Sequence, residues 1–174
     1  MVDELGLTSD EKAQGFILIC VRSALTDMLI EVEDLGDQVF PEVKTLPSRI
    51  SSLEKLAPDV LSVRVRFPPN TPFTFLAGQY VDVIGPGGIR RSYSVANAPA
   101  SDNQVQLHIR AVKSGTMSQY WFDQAKVNDL LRIHGPLGSF FMRPLTGLHL
   151  VFLATGTGIA PVKAMLEQLA TAPL

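Results

Sequence analysis

The chain has 174 residues, a formal net charge of -2 and 46% hydrophobic residues, which suits one globular domain, or one domain with flanking pieces, that buries a sizeable core. A charge this close to zero implies no broad basic face for nucleic acid or anionic lipid, and "FILICV" and "LHLVFLA" fall far short of the roughly 20 apolar residues of a spanning helix. A single cysteine, Cys20, excludes an internal disulfide; with the acidic start "MVDELG", which lacks a basic leader, it sets the expectation of a cytoplasmic protein.

In chain order, Thr8 to Glu11 forms a capping-box pattern, so a short helix should end near Gly15. "FILIC" and "MLIEVE" read as short strands, too little to bury a core of their own. From Val43 the texture is all-β. "VKTLPSRISSLEKL" predicts a strand bent or bulged at Pro47, and "VLSVRVRF" alternates strictly. "PPNTPFTFLAGQ" is a proline-rich turn. "YVDVIG", "PGGI" and "RSYSVAN" form a hairpin, and "VQLHIRAV" and "LLRIHG" are further strands. Between these last two, "TMSQYWFDQA" sets Met117, Tyr120 and Trp121 on one helical stripe. Short strands, Gly/Pro turns and one helix predict a mainly β protein, a small antiparallel barrel. "LHLVFLA" then reads as a strand covered on both faces, "TGTGIAP" as a glycine turn, and "VKAMLEQLA" as a helix with Val162, Met165, Leu166 and Leu169 on one side. That is the first βα unit of a doubly wound nucleotide-binding domain.

Several clusters carry chemistry, each with an ordinary alternative. In "RRSYSVANAP" the two-residue period sends Arg91, Tyr93 and Val95 to one face and Arg90, Ser92 and Ser94 to the other. Arg91 and Tyr93 together offer a phosphate fork and a flat aromatic plate, or simply a surface cation–π pair. In "ATGTGIAP", Gly156 and Gly158 let backbone approach a pyrophosphate, and Pro161 suits a first helical turn; the alternative is a plain turn. In "HIRAVKSGTMS", His108 and Arg110 share a strand face, while the amides from Gly115 onward and the Ser118 hydroxyl form an anion cradle or an ordinary cap. His108 alone reads better as a structural histidine, and Cys20 as a small buried apolar residue. "HGPLGSFF" reads as a structural turn. His108, His134 and His149 lack ligand spacing, so no metal site is expected. No nucleophile–His–acid triad is legible.

In this order, "AGQYVDV", "RRSYSVANAP", "LHIRAVKSGTMS", "HGPLGSFF" and "FLATGTGIAPVKAML" resemble the ferredoxin–NAD(P) reductase superfamily. More narrowly, they resemble its iron–sulfur flavoprotein reductases, among them those of dideoxysugar biosynthesis and of phenol hydroxylases and dioxygenases. The resemblance runs from about Leu7 to the C-terminus. It implies a six-stranded Greek-key FAD-binding barrel over residues 41–145, a ferredoxin-like remnant over 1–40, and the opening of an NAD(P)-binding domain over 146–174. It implies Tyr93 stacked on the flavin, Ser94 at its reactive edge near N5, and Arg91 on the FAD pyrophosphate with Ser118 and the backbone of Gly115, Thr116 and Met117. Ser92 is counted with this hairpin set. His108 and Arg110, with the backbone of Ile109, would line the ribityl and phosphate region. Thr155, Gly156, Thr157, Gly158 and Pro161 would meet the nicotinamide nucleotide. In such proteins NAD(P)H reduces FAD, which passes electrons to an iron–sulfur centre, the protein supplying orientation.

Two departures matter. A plant-type cluster needs four thiolates and only Cys20 sits where a ligand would be, so no iron–sulfur cluster is expected in this chain. The nucleotide-binding unit is expected to be incomplete, either as a fragment or with another chain completing it. The readings are therefore a flavin domain of an NAD(P)H-dependent oxidoreductase, a flavin-free barrel that binds a partner, or a flavin subunit completed in trans. Expected partners are an electron-acceptor protein or a complementing subunit, and unpaired edges at "FILICV" and "LHLVFLA" predict a homodimer or poor solubility.

Overall fold

The computed structural model describes residues 6–31, 35, 38–143, 147 and 149–171, and the chain divides into two compact units, one up to Gln38 and one from Val39. In the first unit, helix α1 (Ser9–Ala13) has the expected capping box: Glu11 Oε2 accepts from the Thr8 amide at 2.8 Å and Thr8 Oγ1 accepts from the Glu11 amide at 3.3 Å. Gly15, at φ +89°, takes the left-handed step that ends it. "FILIC" is not a strand but runs into a 3₁₀ turn at Ile19–Val21, and Met28–Glu31 is irregular, with Leu25 and Leu29 fully exposed. A strand needs a neighbour to take its backbone hydrogen bonds, and no ladder forms among the described residues of this unit. Val32 and Glu33 of "MLIEVE", and the side chain of Cys20, lie outside the described residues.

The second unit is the barrel. Six strands, β1 (Lys44–Ala57), β2 (Val60–Arg66), β3 (Tyr80–Ile84), β4 (Arg90–Ser94), β5 (Gln104–Arg110) and β6 (Leu130–Leu137), pair antiparallel in the order β4-β3-β6-β1-β2-β5. An antiparallel bridge between Val95 and Leu107, with the Ala96 amide donating to the Gln106 carbonyl at 2.7 Å, ties the two edge strands together and closes the sheet. Alternation fills the interior: Val63, Val65, Val81, Val83, Val95, Val105, Leu107, Ile109, Leu131 and Ile133 are all buried. Pro47 does not bend β1. Pairing with β2 begins only at Arg49, so Pro47 has a single neighbour, β6, and its missing N–H disrupts no central ladder. The register shifts fall instead at Ile50/Ser52 and Lys55/Ala57.

The proline-rich turn is built around Asn103, whose side chain donates to the Pro68 and Thr71 carbonyls and accepts from the Phe73 amide. Helix α2 (Thr116–Gln119) runs on into a π turn, Tyr120–Gln124, and buries Met117, Tyr120 and Trp121 as the stripe predicts. Residues 149–155 form no strand, and Val151 and Leu153 are 81% and 92% exposed. A doubly covered strand requires flanking strands, and none lies beside this segment among the described residues. Helix α3 (Ile159–Thr171) packs Ala160, Pro161, Val162, Ala164 and Met165 inward. Leu166, expected on that stripe, is exposed, because the buried face is rotated toward Ala160 and Ala164.

Candidate functional site

The hairpin sets Val81 opposite Tyr93, Asp82 opposite Ser92 and Val83 opposite Arg91. Its inward face emerges by degrees: Val95 is fully buried, Tyr93 half-buried, Arg91 exposed. On the other face the Asp82 side chain, 11% exposed, accepts from Arg90 Nη2 at 2.6 Å, Arg90 Nε at 2.7 Å and Ser92 Oγ at 2.5 Å. The two adjacent arginines are therefore unlike. Arg90 is neutralised, whereas Arg91 contacts only its neighbour's carbonyl, Nη1 to Arg90 O at 2.7 Å, and pairs with no carboxylate among the described residues. Ser92, counted in the site from sequence, is engaged by Asp82.

Tyr93 is held from behind. Trp121 Nε1 donates to its phenolic oxygen at 3.1 Å, with the rings 6.3 Å apart and 83° to one another. Burial raises the Tyr93 pKa, so the phenol stays neutral at physiological pH. Beside it, the Val112 amide donates to Ser118 Oγ at 2.8 Å and the Gly115 amide to the Val112 carbonyl at 3.0 Å, which folds the loop before α2. The first-turn amides of Thr116, Met117 and Ser118 have no acceptor within the helix, and no side chain caps α2 to supply one. Met117 points into the core and offers backbone alone to this cradle. Gly85 brings the helix to the hairpin: a Cβ there would lie 2.9 Å from Met117 Sδ and Cε.

The third group comes from β5 and α3. Ile109 faces the core, while Gln106, His108 and Arg110 face out. Lys163 on α3 donates to the Ala96 carbonyl at 2.8 Å, Gln106 Oε1 at 3.1 Å and Glu167 Oε1 at 2.5 Å, and Glu167 Oε2 accepts from the Ala98 amide at 3.1 Å. This latch holds α3 on the outer face of β5. Burial, then the Lys163 charge, pushes the His108 pKa down, so its imidazole is neutral at pH 7. Arg110 pairs with Asp59 at 3.1 Å, and a Cβ on Gly156 would lie 3.7 Å from Arg110 Nη1. Thr155 to Gly158 thus sit beside Arg110, with Gly156 at φ +54° and the Gly158 amide bonded to the Thr155 carbonyl at 3.0 Å. Pro161 is in the first turn of α3 but packs inward. The Val95–Leu107 bridge sets Ser94 and His108 each one residue from a shared contact, joining this group to the hairpin.

Asp82 and Trp121 are site-building residues that the sequence reading did not assign. A groove of about 610 Å³ between Pro47–Arg49, Arg66–Pro69 and Ser101–Gln104 shares no residue with this constellation. No group of three metal-binding side chains occurs among the described residues, and no helix there is long and apolar enough to cross a membrane.

A family model described as oxidoreductase FAD-binding domain matches residues 47–142, the span that holds the barrel, the hairpin and the α2 loop. The chain belongs to the oxidoreductase FAD-binding domains. Among its relatives, the CDP-6-deoxy-L-threo-D-glycero-4-hexulose-3-dehydrase reductase of Yersinia pestis is 42% identical over 163 residues, which is 94% of this chain and 49% of that protein. The phenol 2-monooxygenase reductase component DmpP of Pseudomonas sp. is 32% identical over 162 residues, 91% of this chain and 45% of that protein. The structure of phthalate dioxygenase reductase, described as modular for electron transfer from pyridine nucleotides to [2Fe-2S], aligns at 27% identity and TM-score 0.63 over 75% of this chain and 41% of that one. This FAD-binding domain therefore spans about half the length of the curated relatives it matches. Arg91 and Tyr93 share one face of the hairpin, and the element that begins at Thr116 reaches that hairpin twice, through Met117 against Gly85 and through the Trp121 hydrogen bond to Tyr93.

Proposed function

We propose that this chain grips FAD as the flavin module of an NAD(P)H-dependent reductase that delivers electrons to an iron–sulfur acceptor. The observation that carries the reading is the division of labour between Arg90 and Arg91. Asp82 absorbs one charge and leaves the other, on the aromatic face of the hairpin, for a diphosphate. Arg91, Ser118 and the amides of Gly115, Thr116 and Met117 would hold the diphosphate; Tyr93 would support the ring, and Ser94 its N5 edge. Neutral His108 and Arg110, with the Ile109 backbone, would line the ribityl and phosphate side. Bound FAD would supply the link between a two-electron hydride donor and a one-electron acceptor. The latch of Lys163 and Glu167 keeps Thr155, Gly156, Thr157 and Gly158, followed by Pro161, next to Arg110, where they would meet the nicotinamide nucleotide.

Residues 41–145 would then be the flavin module, 146–174 part of the nucleotide module and 1–40 part of a ferredoxin-like one. The named relatives include reductase components of oxygenases, which supports an electron-acceptor protein as partner. A lone cysteine supports a reducing, cytoplasmic setting. The test is a visible absorption spectrum before and after FAD is added and excess removed. Retained bands of bound flavin support the reading, and a colourless protein after reconstitution rejects it.

A further inference from the structure

Trp121 is the single tryptophan of the chain and is 2% exposed. Its indole has one polar group, an N–H that donates and cannot accept, and burial makes a partner obligatory. The partner is the side chain of Tyr93, at 3.1 Å. This fixes the direction of the contact. The phenolic oxygen is the acceptor, so the phenolic proton points to something else, and no acceptor for it occurs among the described residues. The neighbouring Tyr120 shows the opposite outcome: its ring packs 5.2 Å from Trp121, but its hydroxyl donates to Asp129 Oδ2 at 3.1 Å, inside the protein. One indole therefore sits between two phenols, one with its proton spent internally and one with its proton unspent on the half-buried face of the barrel.

We infer that Trp121 is a positioning residue: it saturates the acceptor side of Tyr93, locks the ring, and commits the phenolic proton to an oxygen acceptor on the bound flavin nucleotide. The inference rests on the flavin reading above and extends it to a residue with no contact of its own to the cofactor.

The test uses the chain as it is, with FAD as the probe. Trp121→Phe keeps an apolar ring and deletes the donor, but it also removes the indole's second ring from a buried site, so its effect is read against the same substitution made in Tyr93→Phe. FAD affinity, read from flavin absorbance, should weaken by about fivefold to tenfold in Trp121→Phe, the loss expected for one hydrogen bond. Trp121→Phe added to Tyr93→Phe should produce no further loss, because the indole acts only through the phenol. An equal loss in both backgrounds marks a packing role and overturns the inference. So does unchanged affinity in Trp121→Phe while the wild type takes up FAD; wild type that takes up none overturns the flavin reading and this inference with it. A second measurement keeps Trp121 in place. The one indole ¹H–¹⁵N resonance should move in Tyr93→Phe, and in the wild type on adding FAD. A resonance that ignores both overturns the inference even if Trp121→Phe fails to fold.

Discussion

Replacing Asp82 by alanine removes three hydrogen bonds at once, two from the Arg90 guanidinium at 2.6 and 2.7 Å and one from the Ser92 hydroxyl at 2.5 Å. All three go to one carboxylate, and a hydrogen bond to a charged group contributes roughly 1.5–3 kcal/mol. The Arg90 side chain is 50% exposed, so water recovers part of the ionic share once the carboxylate is gone. The expected net loss is about 2–3 kcal/mol, which lowers the melting temperature of a chain this long by about 4–10 °C. Thermal unfolding followed by circular dichroism measures it. Arg90→Ala and the double variant complete a cycle whose coupling should be about 1–2 kcal/mol. A melting point for Asp82→Ala within about 1 °C of wild type, or strictly additive single variants, would refute the claim that Asp82 disposes of the Arg90 charge.

Gly78→Ala should destabilise by more than about 3 kcal/mol, since a Cβ there would overlap the Phe140 carbonyl oxygen and Met165 Cε at a φ of +107°. Urea unfolding checks this, and a variant as stable as wild type would contradict the packing of α3 against the Ala77–Gly78 rim. Burial alone would raise the Glu167 pKa, but hydrogen bonds from Lys163 and the Ala98 amide outweigh it and hold the carboxyl below its usual range. Its contribution is therefore present above the unfolded carboxyl pKa of about 4.3 and lost as pH falls through the folded value. Protease cleavage within α3 should accelerate below about pH 4, and cleavage that ignores pH would exclude the latch. The exposed Val151 and Leu153 predict self-association, visible as a sedimentation coefficient that rises with concentration. A clean monomer at every concentration would contradict it.

The barrel was legible where one face of a strand meets the core and the other meets water, as in Val60–Arg66 and Gln104–Arg110, because alternation then reports burial directly. The same logic placed Arg91, Tyr93 and Val95 together and found the Met117–Tyr120–Trp121 stripe. It failed at "FILIC" and "LHLVFLA", where a continuous apolar run records hydrophobicity but not whether a neighbouring strand exists. Asp82 escaped notice for a related reason. A lone acid between two valines looks solvent-facing until the register sets Ser92 opposite it and Arg90 within reach. The latch was equally hidden: Lys163 and Glu167 stand four residues apart on one helix, and only the fold brings Ala96, Ala98 and Gln106 to them. Direction was invisible too, since a helical stripe buries Trp121 without saying where its N–H points.

In the proposed function, Arg91 is the cation left without a carboxylate among the described residues that would grip the FAD diphosphate beside Tyr93. FAD titration of wild type and Arg91→Ala, followed by flavin absorbance, tests that most directly. Losing a charge-assisted hydrogen bond of roughly 1.5–3 kcal/mol should weaken binding by about 10- to 150-fold, with little change in melting temperature because Arg91 is exposed. Equal FAD affinity in the two proteins would contradict it.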